Sequence, residues 1–370
     1  MISRIYIDNY RCFVNFEWRP GMQSLLLGDN GNGKTSVFVV LELLQRHIFG
    51  MAINDAIHPT DLTAWDQRSV QTFELEIQAD SETYSYCLQV EHDREKEVSR
   101  IRSERVQIDG VLLFEFDGRE VQLFRDDGVS GPKFPFDTSR SAIAQIPSGP
   151  DNKKLLRFRE RVGRVMVFTP DPRRFEPLSL GEIPWVDRDM VELISWLRYL
   201  QQESVDLLPR IRDSLRDVLI GFDDFRLENA GGKSRALKFE FITDEQGKKR
   251  RFSVPLERLS DGQRMLVALY SILHGAIAAN ATICIDEPDN FVSLREIQPW
   301  LIELKDRAAD TGCQWMMISH HPEVTDHLAA DCGHWFHRVG AGPVRVRPFE
   351  CDKEGLFKPS EVIARGWASE

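Results

Sequence analysis

SLLLGDNGNGKTSVFVV, residues 24–40, is an apolar run, a glycine-rich turn ending in Lys-Thr, and a second apolar run. Residues 24–27 read as a short buried strand, and residues 35–48 as a helix with one apolar and one polar face. Between them Gly28, Gly31 and Gly33 let the backbone curl until its N–H groups point inward. Lys34 adds a cation and Thr35 a hydroxyl. This order predicts a phosphate cradle. Asn30, Gly31, Asn32, Gly33, Lys34, Thr35 and Ser36 would surround the phosphates of a nucleotide, with Thr35 also on Mg²⁺. The positive end of the following helix adds attraction for an anion. The plain alternative is a surface turn rich in Gly and Asn, which the strand before it and the helix after it disfavour.

The chain has 370 residues, enough for one large domain or two ordinary ones. Apolar residues make up 42% and charged residues 28%, a globular balance. The net charge of -11 argues against a protein coated in nucleic acid, while leaving room for a local basic patch. Six scattered cysteines with no C-x-x-C pair predict free thiols and a reducing, cytoplasmic setting. The opening MISRIYIDNYRCF has no long apolar core, so no signal peptide is expected. No run reaches ~18 apolar residues, so no membrane partner is expected.

Three downstream segments give the cradle something to work with. Residues 281–285 form an apolar strand that runs into Asp286 and Glu287. The first acid could hold Mg²⁺ and the second could take a proton from attacking water. Before it, Ser260 and Gln263 form a capping box at the start of a helix read as residues 265–279. A helix start is ordinary, yet its free N–H groups also make an anion site. After it, residues 314–318 are a strand that ends at Ser319-His320-His321, and ligands of parallel sheets bind at that edge.

In this order GDNGNGKT, LSDGQR, ICIDEP and ISHHP resemble the Walker A, signature, Walker B and switch-histidine motifs of ABC-type ATPases. IDNYRCF resembles the opening of their RecF, SMC and OLD-like branch. The resemblance covers roughly residues 1–48 and 250–340. It implies an α/β P-loop NTPase of the ABC ATPase head type, with a mixed sheet, an antiparallel β subdomain and a helical insertion. It also implies ATP and Mg²⁺ as ligands, and a homodimer formed through ATP. Lys34 and Thr35 would act in cis, with Asp286 on Mg²⁺, Glu287 as general base and His320 as γ-phosphate sensor. Ser260, Gly262 and Gln263 would reach the nucleotide held by the other copy. Two departures stand out: Asp261 replaces the first glycine of the usual signature, and Ser293 stands where transporter-type members carry aspartate.

Spacing separates the possible relatives. Lys34 and Ser260 are 226 residues apart (260 − 34), far more than in a transporter subunit, so the chain carries an insertion. Residues 70–126 alternate like antiparallel strands, and residues 187–220 read as helices interrupted at Pro209. That is too short for the long coiled coil of a true SMC protein. The fifty residues after His320 (370 − 320) are too few for the nuclease domain of OLD proteins. The expected parts are an N-terminal ATPase lobe over 1–180, a helical insertion over 181–235 and a C-terminal ATPase lobe over 236–370.

Weaker signals complete the reading. Lys153, Lys154, Arg157, Arg159, Arg161, Arg164, Arg173 and Arg174 crowd one stretch, either a strip facing DNA or a solvated face. Residues 248–251, KKRR, follow Gln246-Gly247 and read as a hairpin arm. Gln145 falls at the kind of junction where the family carries its Q-loop, and Arg11 could approach the nucleotide. Cys332, His334 and His337 offer three candidate ligands on what reads as a strand, a poor zinc set. Two functions stay open. One is an ATPase that acts in DNA repair or anti-phage defence with a separate nuclease or effector chain. The other is a slow ATP-gated scaffold that holds a partner nuclease or toxin silent.

Overall fold

The computed structural model describes residues 1–245, 248–277, 281–351 and 356–367. Its centre is a six-stranded sheet in the order Val165–Phe168, Thr282–Asp286, Gln314–Ile318, Gln23–Leu27, Gly333–His337 and Arg345–Pro348. The first five strands run parallel and the last is antiparallel. The strand before the cradle therefore lies between two strands from the far end of the chain. Residues 1–180 and 236–370 build one sheet together.

The strand sequences show why this sheet is central. A parallel sheet covered on both faces needs apolar side chains in both directions. Leu25, Leu27, Ile283, Ile285, Trp315 and Met317 enter one core. The alternate residues Leu26, Cys284, Met316 and Ile318 enter another. The first core is closed by the helices Leu193–Glu203, Leu207–Val218, Asp261–Gly275 and Leu294–Thr311. The second is closed by the helix Lys34–Ile48 and an eight-stranded antiparallel sheet.

The eight-stranded sheet includes Ile2–Asp8 and Phe16–Trp18 as well as the strands expected between residues 70 and 126, and it continues to Ser130–Pro135. Helix Lys34–Ile48 buries Val37, Phe38, Val40, Leu41, Leu44 and Ile48, the spacing of one helical face. Each such side chain removed from water contributes roughly 1.5–3 kcal/mol, so this face fixes the cradle loop to the sheet.

Two expectations about helices are corrected. The helical insertion breaks at residues 204–206, and Pro209 stands in the first turn of helix Leu207–Val218. Proline is tolerated there because a first-turn N–H has no partner within the helix. The helix expected at 265–279 begins at Asp261, because Ser260 caps it, and runs to Gly275. Residues 278 and 279 of that expectation lie outside the described residues.

The remaining four strands, Leu178–Ser179, Phe222–Asn229, Arg235–Glu245 and Lys248–Pro255, form a small sheet. The last two pair antiparallel, so KKRR lies on an arm as expected. Its turn residues, Gln246 and Gly247, lie outside the described residues. Among the described residues no helix is long and apolar enough to cross a membrane.

Candidate nucleotide site

The cradle is built from close backbone approaches. Gly28 has φ +139°, and a Cβ on it would lie 2.2 Å from the Phe336 carbonyl oxygen. Gly33 has φ +80°, and a Cβ there would meet the Phe13 ring at 2.7 Å and Cys12 Sγ at 2.8 Å. Only glycine permits this backbone with these neighbours. Asn32 Nδ2 donates to the Phe336 carbonyl over 3.0 Å, which ties the loop to strand Gly333–His337. The turn at Arg11 to Phe13, which motif spacing alone did not place, is thus the wall behind the loop.

Lys34 is buried, and its ammonium donates to the Gly28 and Asp29 carbonyls at 2.7 and 3.0 Å. Burial pushes its pKa down, against the pull of Asp286, Asp29 and Glu287. The cleft beside it has a volume of about 350 Å³. Among the described residues it is lined by Arg11, Asn30, Gly31, Asn32, Gly33, Lys34, Thr35, Ser36, Glu287 and His320, together with Cys12 and Ile318. Elements distant in sequence therefore meet at one edge of the sheet.

Asp286 ends its strand opposite Ile318 and is buried. Burial raises its carboxyl pKa to about 6, while a hydrogen bond from Thr35 and the nearby Lys34 and Arg188 pull it down. A buried carboxylate joined to a hydroxyl gives hard oxygen donors of the kind Mg²⁺ takes, with room for water and phosphate oxygens to complete the shell. The donor set therefore fits the ion.

Glu287 adopts φ +52°. Its N–H donates to the Ile318 carbonyl over 2.9 Å, and its Oε2 accepts from Asn290 Nδ2 over 2.6 Å. The backbone turn and the amide aim its carboxylate. His320 follows the buried strand Gln314–Ile318. Burial first, and Lys34 second, lower its pKa, so its imidazole is neutral at pH 7. Arg11 is held by Asp61, with Nε 3.0 Å from Oδ1, at the rim of the cleft.

Ser260, Gly262 and Gln263 are not among the residues that line this cleft. They form the capping box read from the sequence: Ser260 Oγ accepts from Gln263 N at 3.2 Å, and Gln263 Oε1 accepts from Ser260 N at 3.0 Å. Gly262 rests on the loop after Glu287; a Cβ on it would lie 2.6 Å from the Phe291 carbonyl oxygen. Asp261 is neutralised by Arg264 and Arg173. The departure from the usual signature therefore comes with its own counter-charges.

Gln145 is corrected. It is exposed at the end of the short turn Ala142–Gln145, packed near the C-terminal end of helix Lys34–Ile48. The 15 residues of that helix put about 20 Å between this end and the cradle. The strand that runs beside the one ending in Asp286 is Val165–Phe168.

The basic stretch also differs from an open strip for DNA. Lys154 and Arg157 approach Glu82, and Arg157 and Arg161 approach Asp80. Arg159 donates to the carbonyls of Ile143 and Ile146, Arg164 pairs with Glu160, and Arg174 with Asp189. Apart from the i,i+4 pair of Arg164 with Glu160, these cations are engaged by acids and carbonyls brought from other strands and turns.

The chain is similar in fold to an SMC head solved bound to the C-winged helix domain of ScpA, with 14% identity, 94% of this chain and 97% of that one covered, and a TM-score of 0.56. An SMC head domain from Thermotoga maritima is similar at 14% identity over 95% and 99%, with a TM-score of 0.48. No curated protein matches. The family model described as "AAA domain, putative AbiEii toxin, Type IV TA system" matches residues 24–326. That match spans most of the chain, so the protein, whose fold is similar to that of an SMC head, belongs to this AAA-domain family.

Proposed function

We propose that the protein binds and hydrolyses ATP at two sites shared between two copies. The observation that carries this reading is the split of the machinery: the cleft collects Lys34, Thr35, Glu287 and His320, with Asp286 hydrogen-bonded to Thr35 beside it, while Ser260, Gly262 and Gln263 form a capped helix start outside it. In each site Lys34 and the loop N–H groups hold the phosphates. Thr35 and Asp286 hold Mg²⁺, which when bound neutralises charge on the β- and γ-phosphate oxygens. Glu287 takes a proton from water as that water attacks the γ-phosphorus and ADP leaves. Neutral His320 donates an N–H to the γ-phosphate. Ser260, Gly262 and Gln263 of the other copy close over it with an N-terminus rich in free N–H groups. Arg11 contacts the nucleotide from the rim.

On this reading the three sequence segments have distinct duties. Residues 1–180 and 236–370 carry the nucleotide site, and 181–235 brace the signature helix.

The output of this cycle is a separate effector. The family description names a putative toxin of a toxin–antitoxin system, which supports a role in defence over one in DNA repair. The internal pairing of the basic stretch supports the same choice. Steady-state hydrolysis with and without duplex DNA tests it. DNA-indifferent turnover with a co-purifying partner agrees; strong stimulation by DNA in the absence of a partner overturns it. Size-exclusion chromatography with ATP tests the shared sites, and a monomer that still turns over ATP overturns them.

A further inference from the structure

The site described above leaves one cation unexplained. Arg173 stands in the loop after the edge strand Val165–Phe168, with its side chain 65% exposed. Its Nε donates to Asp261 Oδ2 over 3.2 Å, and its guanidinium carbon lies 4.6 Å from the Phe291 ring centroid. Its N–H donates to Asp171 Oδ1, which fixes the turn that presents it. The acid on one side and the aromatic face on the other orient the guanidinium. Among the described residues its two terminal nitrogens make no hydrogen bond, so the fork that suits two phosphate oxygens is unspent.

The placement gives this charge a purpose. Asp261 follows Ser260 directly, so an unpaired carboxylate there would repel a triphosphate approaching the signature turn. Arg264 binds its other oxygen. Two guanidiniums on one carboxylate leave a net positive charge at the helix start. Arg173 is not among the residues that line its own copy's cleft.

We propose that Arg173 is a trans-acting catalytic residue, carried on the signature turn by Asp261 and Phe291, whose guanidinium contacts the triphosphate in the other copy's cradle. This rests on the shared-site reading above.

Mixed variants test it. Lys34→Ala yields a chain that offers a signature but holds no ATP. Ser260→Arg yields a chain that holds ATP but offers a blocked signature. Mixed, the two form one working composite site. Arg173→Ala added to the Lys34→Ala chain lowers the restored turnover by about tenfold or more, and Arg173→Lys there recovers part of it. Arg173→Ala added to the Ser260→Arg chain changes turnover by less than about twofold. Equal losses from either chain, a loss from the Ser260→Arg chain alone, or no loss overturns the proposal. A mixture with Arg173 intact that recovers no turnover overturns the shared-site reading and this proposal with it.

Discussion

Asn290 Nδ2 lies 2.6 Å from Glu287 Oε2, so the acid proposed as general base is steered by the loop that also supports the signature turn through Phe291. Glu287→Gln is expected to lower turnover about 100-fold or more while ATP binding persists. With ATP the variant should then elute as a dimer on size exclusion. Asn290→Ala should lower kcat with little change in KM, because it loosens the base without touching the cradle. A rise in KM with kcat intact would assign Asn290 to binding instead.

Asp286 gives a pH dependence. Its folded pKa, about 6, lies above the ordinary 3.8. Without metal its neutral form favours folding below pH 3.8, and that contribution is lost as pH rises through about 6. Mg²⁺ needs the charged form, so its affinity should fall as pH drops below about 6, with proton release on binding. Asp286→Asn should abolish turnover, yet raise the melting temperature at pH 8 without metal. Calorimetric titration of Mg²⁺ at pH 5.5 and 8 checks the first expectation and thermal melting the second.

A buried pair behind the cradle helix gives another. Glu104 is fully buried, accepts hydrogen bonds from Tyr86 and Ser141, and has a carboxyl pKa raised by burial to about 7. Its stabilising neutral form is complete below about 4.5 and is lost as pH rises through about 7. His47, 3.8 Å away, is pushed down to about 4 by burial, so it opposes folding as pH falls from 6.5 toward 4. Glu104→Gln should therefore raise stability at pH 8 by about 1–3 kcal/mol and do little at pH 5. Urea unfolding at both values decides it.

Gly28→Ala should destabilise the fold by at least about 1–3 kcal/mol from backbone strain alone. The added Cβ would also press on the Phe336 carbonyl at 2.2 Å, a backbone atom that cannot turn aside. Unfolding by urea measures the loss, and fluorescent-ATP titration should show weakened binding.

Much of this was legible because it is local. The cradle, the acid-ended strand and the Ser260–Gln263 box each lie within one turn or strand, where spacing dictates geometry. What stayed hidden depends on partners far along the chain. Gln145 had the right residue type at a junction, but strand pairing sets Val165–Phe168 beside the strand that ends in Asp286 instead. Arg173 read as one more cation in a basic stretch; its pairing with Asp261, 88 residues on, exists only after folding. For Arg157 and Arg161 a strip facing DNA and a solvated face stayed open alternatives, because nothing local announced that Asp80 would cross to them.

The position of the strand Gln23–Leu27 has a consequence for synthesis. Both of its neighbours, Gln314–Ile318 and Gly333–His337, are translated long after it. During most of elongation on the ribosome this strand has two bare edges and its loop has no floor. A polypeptide that stops short of residue 314 thus lacks both strands that flank the cradle strand, so premature products should be inert and prone to aggregate.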